Sequence, residues 1–222
     1  ASTQFAALYG YRQEELIGRP MRELIAPEAR HDAMRRILSG YDKPYESLCL
    51  RKDGSVFISK VRARVIPYQG RLVRVSAVRD ITERKRAEEA LQKSEEQYRT
   101  LFETVPNGVV YQDREGHILS ANPAAERILG LTLDQMQGRT SADPRWRAIH
   151  EDGSDFRGEI HPAMVALRTG KANRNVVMGV FHPQRDDWVW IRIDAVPQFR
   201  PGDNEPYQVY TIFEDITERR EV

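Results

Sequence analysis

The side chains with the chemistry to act as ligands or catalysts are few and scattered. One thiol, Cys49, and five histidines, His31, His117, His150, His161 and His182, lack the close spacing of a zinc site, so no metal is expected. Two histidines are placed alike: Met34 follows His31 by three residues, and Met164 follows His161 in the same way. No Gly-x-x-x-x-Gly-Lys-Ser/Thr loop is present to cradle phosphates, and no kinase or nucleotide-cyclase signature appears. No Ser/His/Asp constellation is legible. The chemistry on offer therefore points to binding and relay, with no catalytic residue and no enzyme activity expected of this segment.

Two acidic caps are the clearest polar motifs. Asp80-Ile81-Thr82-Glu83 and Asp215-Ile216-Thr217-Glu218 each place Asp at a helix start and Glu three residues on, the spacing of a capping box. Each closes a strand-like run, so a helix is expected to leave a sheet there. After the first cap, Ala87, Leu91, Ser94, Tyr98, Leu101 and Val105 recur at spacings of four and three among Lys, Arg and Glu. This seam of a linker helix is expected either to dimerise in parallel or to lie on a sheet; at fewer than three heptads it is marginal alone.

The elements that position these residues come from a repeat. Ala1, Gly10 and Gly18-Arg19 reappear as Ala121, Gly130 and Gly138-Arg139, an offset of 120. His31, Met34 and Gly40 reappear as His161, Met164 and Gly170, an offset of 130; Asp80–Arg84 reappear as Asp215–Arg219, an offset of 135. Two domains in tandem follow, the second carrying 15 more residues in its middle, around Ser141–Glu159 with Trp146 and Asp152-Gly153. Strands are expected at Tyr45–Leu50, Val56–Ile66 and Arg71–Arg79, and at Asn175–Phe181, Trp188–Gln198 and Tyr207–Glu214. Val109–Asp113 and His117–Ala121 form a hairpin with no counterpart in the first copy, which lacks those two strands. Asn122-Pro123 opens a helix that Gly130 ends, and Gly170 ends another from Pro162 to Thr169. The fold class is α+β. The expected domains are 1–82, a linker helix 83–104, a complete second domain 105–218, and an exit helix starting in 219–222.

Composition fits soluble cores. Of 222 residues, 40% are hydrophobic, and 34 basic residues against 33 acidic give a net charge of +1. No basic excess calls for nucleic acid, and no apolar run reaches the length of a membrane span. A single cysteine excludes an internal disulfide, so a cytoplasmic setting is expected, with Cys49 a small buried strand residue.

Phe5-x-x-Leu8-x-Gly10-Tyr11-x-x-Glu14-Glu15-Leu16-Ile17-Gly18, Lys52-Asp53-Gly54-Ser55 and the two Asp-Ile-Thr-Glu-Arg endings resemble the PAS family over nearly the whole chain. The resemblance implies, in each domain, a five-stranded antiparallel sheet with short helices on one face around a ligand cavity. It implies a homodimer, and a downstream output domain in the same protein, of histidine kinase or cyclic-dinucleotide type. The light-sensing subclass has its reactive Cys in a helical Asn-Cys-Arg-Phe motif that neither copy has, so a photoadduct is not expected. Cofactor identity is otherwise open: haem with His31 or His161 as ligand, or non-covalent flavin. Pro162 sets His161 near a helix cap, where backbone N–H groups or water would satisfy it.

In the second domain Ile128, Met164, Leu167, Val176, Met178, Ile191, Ile193 and Phe213 either line a small-molecule pocket or close a solid core. Val189, Ile191 and Ile193 share the inner face of one strand; Trp188, Trp190, Arg192 and Asp194 share the outer face. The relay is expected to run through Asp80, Thr82 and Glu83 and through Asp215, Thr217 and Glu218. The longer middle of domain two would lid any ligand. A ligand-free dimerisation and spacer pair is the rival reading.

Overall fold

In the computed structural model the described residues are 1–137, 139, 143 and 146–220. Gly138, Ser141, Glu221 and Val222, which enter the readings above, lie outside them. The chain divides into two units, Ala1–Glu95 and Glu96–Val222.

The first unit opens with helix α1 (Thr3–Tyr9), capped by Ser2, whose hydroxyl accepts from the Phe5 amide at 3.2 Å. Three short 3-10 turns follow, then α2 (Arg30–Leu38). Strands β1 (Tyr45–Leu50), β2 (Val56–Tyr68) and β3 (Arg71–Asp80) form an antiparallel sheet in the order β1-β2-β3. Alternate side chains of β2 turn inward, and Tyr9, Leu24, Cys49 and Phe57 make the core. Cys49 is buried as expected but not merely apolar. Its sulfur takes a hydrogen bond from the Tyr9 hydroxyl at 3.1 Å and lies 3.1 Å from the Ser59 hydroxyl. Burial drives the Tyr9 phenol pKa far above its ordinary value, so the phenol stays a donor.

Helix α3 (Thr82–Thr104) begins in the first unit and ends in the second. It buries none of its residues, which fits its dense charge.

The second unit contains β4 (Gly108–Asp113), β5 (Ile118–Ala121), α4 (Pro123–Leu129), α5 (Leu133–Met136), β6 (Ala148–Ile149), α6 (Pro162–Thr169), β7 (Asn173–His182), β8 (Asp187–Gln198), β9 (Gln208–Asp215) and α7 (Thr217–Arg220). The expected caps are present. The Asn122 carboxamide oxygen accepts from Ala125 N at 2.9 Å, and Gly130 and Gly170 end α4 and α6 in the left-handed region. The sheet has six strands in the order β5-β4-β9-β8-β7-β6, not five. The additional strand comes from the longer middle of this unit. Ala148 and Ile149 pair with Val180 and Gly179, and Ile149 sits where a Cβ on Gly179 would be, 2.8 Å from its Cγ1. A glycine at 179 thus makes room for the edge strand.

Helix α6 lies close on β8 and β9 because the contact is made of small residues, Ala163, Ala166 and Ala195, with Val209. Val189, Ile191 and Ile193 point into the core as the alternation predicts, at 2%, 2% and 8% exposure. Burying each such aliphatic side chain contributes about 1.5–3 kcal/mol. Among the described residues no helix is long and apolar enough to cross a membrane.

Candidate ligand cavity and strand-to-helix relay

A cavity of about 90 Å³ lies between the inner face of the second sheet and its helices. β8 and β9 supply Ile191, Ile193, Thr211 and Phe213; β7 supplies Met178 and Val180. Val110 and Gln112 from β4, Leu129 from α4 and His161-Pro162-Ala163 at the start of α6 complete much of the wall, with Trp146 and Ala148 at one end. Of the eight residues named for a pocket, Met178, Ile191, Ile193 and Phe213 line it. The other four do not. Ile128 and Val176 pack on the outside of the same core cluster. Met164 lays its sulfur over Gly116 in the β4–β5 turn, where a Cβ would meet it at 2.6 Å. Leu167 packs against the alanine cluster under α6. Their immediate neighbours Leu129 and Ala163 line the cavity instead, which is a matter of helix phase.

The histidines also fall differently from expectation. His161 stands at the start of α6 as expected, but its side chain does not bond the first amides of the helix; its Nε2 lies 3.0 Å from the Phe156 carbonyl, so that nitrogen carries the proton and donates. Burial lowers its pKa, which keeps the ring neutral. His182 ends β7, is 4% exposed, and its Nε2 lies 3.2 Å from the Arg127 carbonyl while its Nδ1 accepts from Arg185 N. His150 stacks on Phe156 with ring centroids 4.0 Å apart. His31 is 89% exposed on α2. A haem or a flavin ring system does not fit this cavity. At about 90 Å³ it is smaller than the ~150 Å³ that accepts a single benzene ring, and His31 faces solvent away from any enclosure. Asp113, Glu115 and His117 approach one another in the β4–β5 turn, but the Asp113 carboxylate already holds the turn. It accepts from the Glu115 and His117 amides and faces His117 Nδ1 at 3.1 Å.

The two acidic motifs are built alike, and not as capping boxes. Asp215 Oδ1 accepts from the Thr217 amide at 2.9 Å and from its hydroxyl at 2.6 Å. The Thr217 hydroxyl oxygen then accepts from the Trp190 amide of β8 at 3.0 Å, while Ile216 N donates to the Trp190 carbonyl at 2.8 Å. In the first unit Ile58 takes the place of Trp190: its amide donates to Thr82 Oγ1 at 2.9 Å and its carbonyl accepts from Ile81 N at 2.9 Å. Each helix start is therefore clamped by two hydrogen bonds to an interior strand of its sheet, β2 in the first unit and β8 in the second. The threonine, not the glutamate, makes the contact to the strand. Glu83 and Glu218 are exposed. Burial alone would raise the Asp80 carboxyl pKa, but the Thr82 hydroxyl and amide and the Arg51 ion pair outweigh it and hold it below the usual carboxylate range.

At the other end of the second unit, the last turns of α3 lie on the outer face of the sheet. Tyr98 stacks on Phe102 at 5.8 Å, Phe102 meets Tyr111 of β4 at 6.2 Å, and Tyr111 meets Tyr210 of β9 at 5.9 Å. The Tyr98 hydroxyl donates to that of Tyr111 at 3.3 Å, and burial with this bond drives the Tyr111 pKa upward. Of the seam, Ala87, Leu91, Ser94, Tyr98 and Leu101 lie on α3; Val105 follows its end, its amide donating to the Leu101 carbonyl. Leu91 and Leu101 remain 62% and 69% exposed. Outer aromatics of β7 and β8 are covered by arginines: Arg220 lies 4.2 Å over Trp190, and Arg147 lies 5.4 Å over Trp188 and 3.9 Å over Phe181.

Similarities to known proteins agree with this architecture. The methyl sulfide methyltransferase-associated sensor of Methanosarcina acetivorans is 36% identical over 84 residues, 36% of this chain and 8% of that protein. Sporulation kinase E of Bacillus subtilis is 35% identical over 69 residues, 31% of this chain and 9% of that protein. The virulence sensor protein BvgS of Bordetella pertussis is 40% identical over 62 residues, 28% of this chain and 5% of that protein. The matched stretches are under a tenth of the length of these relatives. Residues 1–83 match one PAS domain family model and residues 96–162 match a second. Together the two matches span well over half of the sequence, one in each unit, and the chain belongs to the PAS domain family as two PAS domains in tandem.

Proposed function

We propose that the chain is a non-catalytic sensory and relay module, with the second PAS domain sensing a small molecule and passing the event into its exit helix. One observation carries the reading: cavity and clamp share residues of the same two strands. Ile191 and Phe213 line the cavity. Ile191 is the cross-strand partner of Asp215, and the preceding residue, Trp190, holds both ends of the clamp on Thr217 and Ile216. A ligand that shifts Ile191 outward must move the Trp190 peptide, and the exit helix answers to that peptide. For a switch, ligand must bind the two helix arrangements unequally. The similarity to sensor and kinase proteins supports a signalling output domain in cis of histidine kinase type; a cyclic-dinucleotide output, a homodimer and a cytoplasmic setting belong to the same proposal.

The test is native mass spectrometry of the purified chain with identification of released small molecules, then hydrogen exchange of the Trp190 and Thr217 amides with and without the released compound. Slower exchange at both amides on binding supports the relay. Binding that leaves both unchanged removes it. A second reading, a dimerisation and spacer pair, draws support from the exposed Leu91 and Leu101 on α3. It predicts a dimer by sedimentation that L91E/L101E dissociates, and no released ligand.

A further inference from the structure

We propose that the cavity of the second PAS domain takes a small uncharged molecule, of about four non-hydrogen atoms, whose hydrogen-bond acceptor is held by the indole N–H of Trp146. The proposal rests on the sensory reading of that cavity and names the ligand class.

The anchor comes from an unmet donor. Trp146 Nε1 is buried and has no hydrogen-bond partner, and an indole nitrogen can only donate. Buried donors without acceptors are rare, and each calls for a reason. Trp146 lines both the cavity and a surface cleft of about 680 Å³, as do Arg147 and Ala148. The indole therefore stands between the two spaces, with its donor unmet.

The absence of charge in the wall sets the second property. The Arg147 guanidinium is turned to the outer face of the sheet, over Phe181 and Trp188, opposite the inward Val180 and Val189. The proton on His161 Nε2 is committed to the Phe156 carbonyl, and the buried ring stays neutral. Gln112 donates to the Gly116 carbonyl at 2.9 Å, and the Thr211 hydroxyl to that of Val110 at 3.4 Å. The rest is aliphatic, aromatic or thioether: Ile118, Leu129, Met178, Ile191 and Phe213. A carboxylate or ammonium there would lose its water and find no counter-charge, whereas a carbonyl or amide needs only the one donor.

Volume sets the third. A cavity of ~150 Å³ accepts benzene, about 25 Å³ for each of its carbons, so about 90 Å³ corresponds to roughly four non-hydrogen atoms.

Four probes of near-equal shape test all three properties on the intact chain: acetone, acetamide, acetate and isobutane. Three tryptophan indole signals in a ¹H–¹⁵N correlation spectrum are assigned with W188F and W190F, and the Met178 methyl reports occupancy. Acetone and acetamide should shift the Trp146 indole signal downfield, saturably, together with the Met178 methyl. Acetate at neutral pH should shift neither. Isobutane should shift the methyl alone, binding roughly tenfold more weakly than acetone for want of the hydrogen bond. W146F should lower acetone affinity by about the same factor, and by clearly more than it changes isobutane affinity. Acetate binding as tightly as acetone overturns the uncharged class. Acetone moving Met178 without moving the Trp146 indole overturns the anchor. If no probe moves the Met178 methyl while native mass spectrometry still finds a released small molecule, the ligand class falls and the sensory reading stands; if neither finds a ligand, both fall.

Discussion

Replacing Thr217 with valine isolates the clamp, because valine keeps the shape and β-branching of threonine and removes only the hydroxyl. Two hydrogen bonds go. The Trp190 amide loses its acceptor at 3.0 Å, and Asp215 loses the hydroxyl donor at 2.6 Å. The first is the larger loss. An amide left without an acceptor in a partly buried position costs about 1–2 kcal/mol, and the partly exposed Asp215 contact adds about 0.5 kcal/mol. The Ile216 amide still donates to the Trp190 carbonyl, so the helix start stays tethered by one bond instead of two. The expected loss is about 2 kcal/mol, or roughly 5–8 °C in melting temperature for a domain of this size. Urea unfolding followed by tryptophan fluorescence is the assay, since Trp146, Trp188 and Trp190 all lie in the second unit and report it alone. That selectivity matters because a chain of two units need not unfold in one step. Thr82→Val serves as control: it removes the same bond to Ile58 in the first unit and should leave the tryptophan transition in place. Hydrogen exchange at the Trp190 amide should accelerate tenfold or more in T217V. A T217V transition within about 0.3 kcal/mol of the parent, or unchanged exchange at Trp190, would refute the clamp as the link between sheet and exit helix.

Gly130→Ala should destabilise the second unit by about 3 kcal/mol, since it combines a left-handed backbone at φ 68° with a Cβ 2.4 Å from the buried His182 ring. Gly153→Ala has a left-handed backbone too, at φ 82°, but open space around it, and should cost only about 1–2 kcal/mol in the same assay; equal losses would contradict the packing argument. Stability of the second unit should also depend on pH through His161. Its folded pKa lies below the ordinary 6.5, lowered by burial first and by His150, against the Phe156 carbonyl and Asp155, which act to raise it. The unfolded chain thus binds a proton that the folded one refuses, and stability is full above pH 6.5 and declines as pH falls below it, by at most about 1.4 kcal/mol per pH unit for one proton. His161→Gln keeps a donor for the Phe156 carbonyl and should flatten that decline; an unchanged slope between pH 7.5 and 5.5 would show that another group titrates.

Much of this fold could be read locally because its signals are local. Asn122-Pro123, Gly130 and Gly170 mark helix ends through backbone chemistry that needs no partner from elsewhere, and all three stand where they were expected. The alternation of Val189, Ile191 and Ile193 with Trp188, Trp190 and Arg192 identified the inner face of β8, since a strand alternates strictly. Helix phase is less legible. The sequence favours Ile128 and Met164 as pocket residues, whereas Leu129 and Ala163 line the cavity, in each case a single position off, which on a helix is a rotation of about 100°. Short helices of seven or eight residues carry too few turns for composition to settle that angle.

The sequence by itself determined the tandem repeat, the α+β class, the family resemblance and the places where strands pass into helices, because each is written in contiguous residues and in their recurrence. Tertiary structure alone decided what those residues touch. The Asp-Ile-Thr-Glu motif names a helix start in either case. Only the sheet brings Trp190 to Thr217, 27 residues on, and so turns a presumed capping box into a clamp on the neighbouring strand. Only the packing of the longer middle segment leaves Trp146 with a buried, unanswered N–H beside a small cavity. Contacts of that kind depend on distances between chain-distant atoms, which no local pattern of residue types encodes.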